Sequence, residues 1–145
     1  MIALDVFKRI RQENESHFPL LTLDEFFDGN ADEDSIAPNQ WGYGRPSLTE
    51  MWDMFKKVEL LPNVAWVRVA LHDDTEIRHD NGVEVLNLVG DSIIICTEMD
   101  SDTLDNIVDC DWLCSDGVIA SEPALYDSRI PPIPPNYRCL EIVWD

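Results

Sequence analysis

Helical spacing of apolar residues appears first at the N-terminus. Val6, Phe7 and Ile10 fall on one side of Leu4–Arg11, predicting a short amphipathic helix. Thr22-Leu23-Asp24-Glu25 then has the spacing of a capping box and precedes Phe26-Phe27. A second short helix is expected over Leu23–Phe27, stopped at Gly29. Asp28 to Gly44 is polar and turn-rich, which predicts a loop. Ser47-Leu48-Thr49-Glu50 is the clearest start signal in the chain. Leu48, Met51, Trp52 and Phe55 follow at i, i+3, i+4 and i+7, predicting a helix over about Leu48–Leu60 with Trp52 in the core. Lys56 and Lys57 suit the negative end of its dipole.

The period then changes to two. Asn63–His72 has one apolar face and one nearly apolar face, the pattern of a central strand. Val83–Val89 and Asp91–Glu98 predict two more strands, with Gly90-Asp91 placed for a tight hairpin between them. Helical spacing returns after Asp100 or Ser101. A single helix is expected over about Asp102–Leu113, with Leu104, Ile107, Val108 and Trp112 facing inward. Gly117–Ala120 predicts a brief strand. Ser121–Pro135 is a proline-rich connector, locally extended at Ile130–Pro135. Tyr137–Trp144 predicts a last strand. The expectation is one α+β domain over residues 1–145: a mostly antiparallel sheet of about four or five strands with two or three packed helices.

Charge changes this picture most. The chain has 29 acids against 10 bases, a formal net charge of −19. His79 to Ser128 contains twelve acids and no Lys or Arg, and Gln12 to Gly44 contains eight and none. The acids are threaded through segments that otherwise look folded, and five Trp and five Phe oppose disorder. Such a surface repels nucleic acid and anionic membranes and steers basic proteins toward itself. No apolar run is long enough for a membrane helix. Met1–Arg11 lacks the pattern of a signal peptide, so the expected compartment is the cytoplasm, with Cys96, Cys110, Cys114 and Cys139 as reduced thiols.

The candidate chemistry is sparse. Asp28-Gly29-Asn30-Ala31-Asp32-Glu33-Asp34 begins like a calcium loop. It has Glu33 where the turn needs glycine and Asn39 where a bidentate Glu belongs. A solvated acidic loop is the simpler reading, and weak calcium binding or a general interaction role is the alternative. Cys110 and Cys114, four apart, form a zinc site only if Cys139 and His72 join them; free thiols are simpler. His17, His72 and His79 have no marked nucleophile or catalytic partner, and no nucleotide, hydrolase or metalloprotease motif is present. The expectation is therefore no enzyme, no cofactor and no metal.

The expected partner-binding residues are Asp102, Asp105, Asp109, Asp111 and Asp116, with Asp32, Glu33 and Asp34 as a second patch. Trp41 and Tyr43, in the loop Trp41-Gly42-Tyr43-Gly44, either anchor a partner or fold back as a lid. Asp105 and Asp109, four apart on one helix, would repel by roughly 0.2–0.5 kcal/mol with no base between them. That cost favours a binding role over plain solubility.

In size, charge, composition and layout the chain resembles the immunity proteins of bacterial polymorphic toxin systems, including contact-dependent growth inhibition. Phe26-Phe27-Asp28-Gly29-Asn30, Ser35-Ile36-Ala37-Pro38-Asn39 and Ser115-Asp116-Gly117-Val118 are similar to a local pattern in small uncharacterised bacterial proteins. The immunity resemblance implies a cognate basic toxin as partner, with a nuclease domain, and no direct contact with nucleic acid or membrane. The inhibitor's carboxylates would stand in for phosphates at the toxin's cleft, speeding association, while a few desolvated ion pairs and an aromatic anchor would slow dissociation.

Overall fold

In the computed structural model, which describes residues 1–145, helices and strands follow the predicted α+β order. The helices are α1 (Leu4–Glu13), α2 (Leu23–Phe27), α3 (Leu48–Glu59), α4 (Ser101–Val108) and α5 (Cys110–Leu113). The strands are β1 (Phe18–Pro19), β2 (Val64–Leu71), β3 (Glu76–Asp80), β4 (Val83–Asn87), β5 (Gly90–Thr97), β6 (Gly117–Ala120), β7 (Asp127–Ser128) and β8 (Arg138–Val143). One antiparallel four-stranded sheet, in the order β2-β5-β8-β6, organises the molecule.

Both capping boxes form. Thr22 accepts from the Glu25 N–H while Glu25 reaches back to the Thr22 N–H, and Ser47 and Glu50 do the same for α3. Satisfying these otherwise orphaned amides sets where each helix begins. α3 buries Leu48, Met51, Phe55 and Val58. Full burial of Phe55 alone contributes about 2–3 kcal/mol. Trp52 sits at the margin of the core rather than inside it. Its indole donates to Asp24 at 3.2 Å and Lys56 covers its ring at 4.3 Å.

The sheet's two faces follow the alternation of its residues. Val67, Val69, Ile93, Ile95, Leu140 and Ile142 join the main core under the helices. Trp66, Ala70, Ile94, Cys96 and Cys139 point the other way, where Leu20 joins them and Ile130 and Tyr137 pack against the group. The proline-rich connector holds this second cover down, the Trp66 indole donating to the Pro132 carbonyl at 3.1 Å.

Three expectations are corrected. β2 ends the sheet instead of sitting in its centre; β5 and β8 are central. β2 still looks central in sequence because both its faces are covered. Its outer edge is also blocked, since Leu21 and Val69 exchange hydrogen bonds of 3.0 and 2.8 Å. The hairpin is not at Gly90-Asp91. β4 pairs with β3 across Asn81-Gly82, whose φ values of 52° and 78° are those of a type I′ turn. β5 pairs with β2 and β8 instead. Finally, the helix expected over Asp102–Leu113 is broken. Asp109 takes the left-handed conformation at φ 55°, ending α4 and starting α5.

Candidate functional site

The break at Asp109 shapes the most distinctive surface of the chain. Asp100 caps α4, its carboxylate accepting from the Thr103 N–H at 2.8 Å. Leu104 and Val108 anchor the helix in the core. At Asp109 the backbone turns, and the Asp109 side chain accepts from the Trp112 N–H at 3.2 Å, capping α5. Cys110 and Leu113 then re-enter the core. Ile107 lies on α4 before the break and Trp112 on α5 after it. Ile107 is 44% and Trp112 38% exposed, which corrects their expected inward position.

Carboxylates surround these two apolar residues. Asp105, Asp109, Asp111 and Asp116 line one recess of about 300 Å³. Beside it, Ile107, Asp109 and Trp112 form a groove of about 390 Å³ with Glu50, Asp53, Met54 and Lys57 of α3. Asp102 lies outside the recess, exposed on the first turn of α4. None of Asp102, Asp105, Asp109, Asp111 and Asp116 makes an ion pair. Among the twelve acids from His79 to Ser128, only Glu84 does, with Lys8 at 2.8 Å. Cys110 lies under the recess, and burial, with Asp105 beside it, pushes its thiol up to about 11. It is not a reactive nucleophile at neutral pH.

The Trp41–Gly44 loop reaches the same end of the molecule. A β-carbon on Gly44 would lie 3.2 Å from Cys114 Sγ, so this loop packs against the C-terminus of α5. Tyr43 is 83% exposed at its tip. Trp41 behaves differently: its ring covers the Arg45 guanidinium at 4.7 Å while one side stays in solvent.

The second acidic patch divides. Asp32 and Asp34 are exposed and share a broad recess with Asp73, Asp74 and Glu76. Glu33 turns inward and ion-pairs with Arg45, whose side chain is fully buried. The same guanidinium donates to the carbonyls of Glu33, Ile36 and Pro46, and Glu33 also accepts from the Leu48 N–H at 3.1 Å. Burial lowers the Arg45 pKa, opposed by Glu33. Glu33 therefore fastens the loop to the start of α3. Two other oxygens of the calcium-like loop are also engaged internally. Asn30 Oδ1 accepts from the Asp32 N–H, and Asp32 Oδ1 accepts from the Asp34 N–H.

The other sequence candidates stay apart. Cys139 opposes Cys96 across β8 and β5, while His72 follows the far end of β2. No group of three or more His, Cys, Asp or Glu side chains is arranged to hold a metal ion. No helix is long and apolar enough to cross a membrane. Ile107 and Trp112 are the surface residues that sequence periodicity misplaces. The exposed left-handed Asp109 separates the helix that carries Ile107 from the one that carries Trp112.

Residues 3–142 match the model of a family described as the uncharacterized protein YfbO family. No curated protein and no solved structure matches the chain significantly.

Proposed function

The chain belongs to the uncharacterized protein YfbO family, and from that premise we propose that it is a binding protein that neutralises a basic protein partner in the cytoplasm. The partner class it suits best is a cognate toxin with a nuclease domain, the relationship of an immunity protein to its toxin. One observation carries this reading. Ile107 and Trp112 stand half-exposed in a groove beside the recess of Asp105, Asp109, Asp111 and Asp116, none of which makes an ion pair, although Asp53 of the groove itself pairs with Lys57.

That arrangement has the parts of a tight interface. Interface hot spots are enriched in Trp and lie within a water-excluding surround. Unpaired carboxylates raise the rate of encounter with a basic surface, and the few that become desolvated against Arg or Lys slow its release. Tyr43 and the Asp32/Asp34 patch extend the surface toward the loop side. The calcium alternative gains no comparable support, because Glu33 turns away to Arg45 and one oxygen each of Asn30 and Asp32 already serves the loop's own backbone.

The test is a tagged pull-down from the native host, run in parallel with wild type, Trp112→Ala and the double variant Asp105→Lys/Asp111→Lys. The expected result is one stoichiometric basic partner that survives high-salt washing with wild type and is lost or salt-labile with both variants. Purified wild type should also block that partner's nuclease activity. A partner retained equally by all three proteins would place the interface elsewhere. A partner that is not inhibited would remove the toxin reading.

A further inference from the structure

The two ends of the main sheet differ. β2 and β6 are its outer strands. The free side of β2 is closed, because Leu21 and Val69 exchange hydrogen bonds across it. Nothing closes the free side of β6. Opposite residues of an antiparallel ladder alternate between bonded and non-bonded pairs. Ser121, which continues the β6 register, donates to the Cys139 carbonyl at 3.0 Å. Ile119 and Glu141 are therefore a bonded pair, and Val118 and Ala120 turn their N–H and C=O groups away from β8. No loop or cap hydrogen bond reaches those groups, and neither does an isolated bridge. An open edge is a template for another strand, and folded proteins commonly blunt it with lysine, proline or a covering segment. Gly117–Ala120 contains no charge and no proline.

A second observation lies beside this edge. β6 and the turn after it leave three large apolar side chains in water: Ile119 is 51%, Leu125 58% and Tyr126 73% exposed. All three line one cleft of about 750 Å³, on the face of the sheet opposite the helices. Apolar side chains gathered on a surface mark a contact site. An added strand uses both features, since its main chain bonds the edge while alternate side chains pack on one wall. Charge then selects the strand. Asp116 and Glu122 flank β6, and Asp91, Asp127 and Glu141 enter the cleft. None of them makes an ion pair, and no Lys or Arg borders the cleft, whose only bases are His17 and His72. A second copy of β6 is a poor occupant. Antiparallel pairing of Val118 with Ala120 would set Asp116 of each copy opposite Glu122 of the other, and like charges so placed destabilise a sheet.

We propose that the free edge of β6 binds an extended segment of a basic protein as an added strand. The segment's main chain pairs with Val118 and Ala120. Its apolar side chains lie on Ile119, Leu125 and Tyr126, and its Lys or Arg residues meet Asp116 and Glu122 at the ends of β6. This contact does not rest on the groove of Ile107 and Trp112, and it stands or falls separately.

The test titrates capped synthetic peptides into the full chain at low salt, read by fluorescence anisotropy. One peptide alternates Lys and Val, and a second alternates Glu and Val. A third repeats the first with its Lys amides N-methylated. With Val on the cleft side, those amides are the ones that face Val118 and Ala120, and methylation removes them without changing the charge. The variants are Ala120→Pro and Trp112→Ala. Ala120→Pro removes an N–H that β8 does not use, so the wild-type Tm is expected. The expected result is saturable one-to-one binding of the Lys-Val peptide, weakened about tenfold by methylation and by Ala120→Pro, the worth of one or two main-chain hydrogen bonds. Trp112→Ala should bind as wild type does, and hydrogen exchange at the Val118 and Ala120 amides should slow in the complex. If Ala120→Pro fails to fold, the methylated peptide on wild type carries the same test. The proposal is overturned if the Lys-Val peptide does not saturate, if the Glu-Val or the methylated peptide binds equally well, or if Trp112→Ala abolishes binding. Dimerisation of the free protein that Ala120→Pro abolishes would also overturn it, giving the edge to a second copy.

Discussion

Replacing Glu33 by Gln separates a structural carboxylate from a surface one. Glu33 stands between the exposed Asp32 and Asp34, yet its oxygen meets a guanidinium with no solvent contact. Gln keeps the shape and the amide oxygen that can still accept from the Leu48 N–H. It removes only the charge opposite Arg45. Breaking a fully buried pair costs about 3–5 kcal/mol because the surviving charge is uncompensated. Two features reduce that here. Glu33 is 29% exposed, and three backbone carbonyls still receive the guanidinium. The expected loss is therefore about 2 kcal/mol for Glu33→Gln, rising to about 3 kcal/mol for Glu33→Ala, which also frees the Leu48 amide. For a chain of this size, 2 kcal/mol corresponds to a Tm lower by about 6–8 °C. Urea unfolding followed by tryptophan fluorescence measures it, with Asp34→Asn as the neighbouring control expected to behave as wild type. If Glu33→Gln and Asp34→Asn shift the urea midpoint equally little, the ion pair does not hold the loop to α3.

Three other predictions concern the fold and its titration. Gly82→Ala places a β-carbon at φ +78° in the Asn81-Gly82 turn and should cost about 1 kcal/mol, whereas space is not limiting there; thermal unfolding decides it. Stability should rise as pH falls from 7.5 toward 5. The folded Asp127 carboxyl binds its proton near pH 6, above its usual value, so the unfavourable charged form is lost through that window, a gain of about 1–2 kcal/mol allowing for partial exposure. Asp91 acts in the same direction, while Glu25, held below its usual value with help from Arg129, loses stability only at more acidic pH. The groups facing Asp127 are Glu141, Asp91 and His17, and Asp127→Asn should flatten the rise; a slope unchanged in that variant would refute the assignment. In native protein Cys114, half-buried, should react with a thiol reagent first. Cys96, Cys110 and Cys139 should wait for unfolding, since burial pushes Cys110 up to about 11 and Cys139 up to about 12. Equal rates at all four would show the core to be open.

Local chemistry was legible along the chain. The two capping boxes, the apolar stripe of α3 and the alternation of β2, β5 and β8 depend on residues within a few positions of one another. Those interactions are made by any chain that adopts the local conformation, so periodicity reveals them. Asn81-Gly82 also carries a local signal, because both residues must accept positive φ, and it makes the hairpin that Gly90-Asp91 does not. The absence of Lys and Arg from His79 to Ser128 is likewise a property of sequence, and it established that acids there would find few intramolecular partners.

Tertiary structure decided what those acids do. Helical spacing through Asp102–Leu113 does not reveal the break, because an Asp reaches the left-handed conformation only when neighbouring contacts outweigh its cost. Here Val108 on one side and Cys110 and Leu113 on the other are all held in the core. Ile107, on α4, and Trp112, on α5, lie on either side of the break and line the same groove against α3. Glu33 looks identical to Asp32 and Asp34 until Arg45, twelve residues later, is buried beside it. The cleft draws Asp91, Asp127 and Glu141 from three strands, and strand pairing over fifty residues is what brings them together. Charge, caps and periods are set by neighbours in sequence. Which carboxylates are paired, which are exposed and which are crowded is set by the packing of elements distant in the chain.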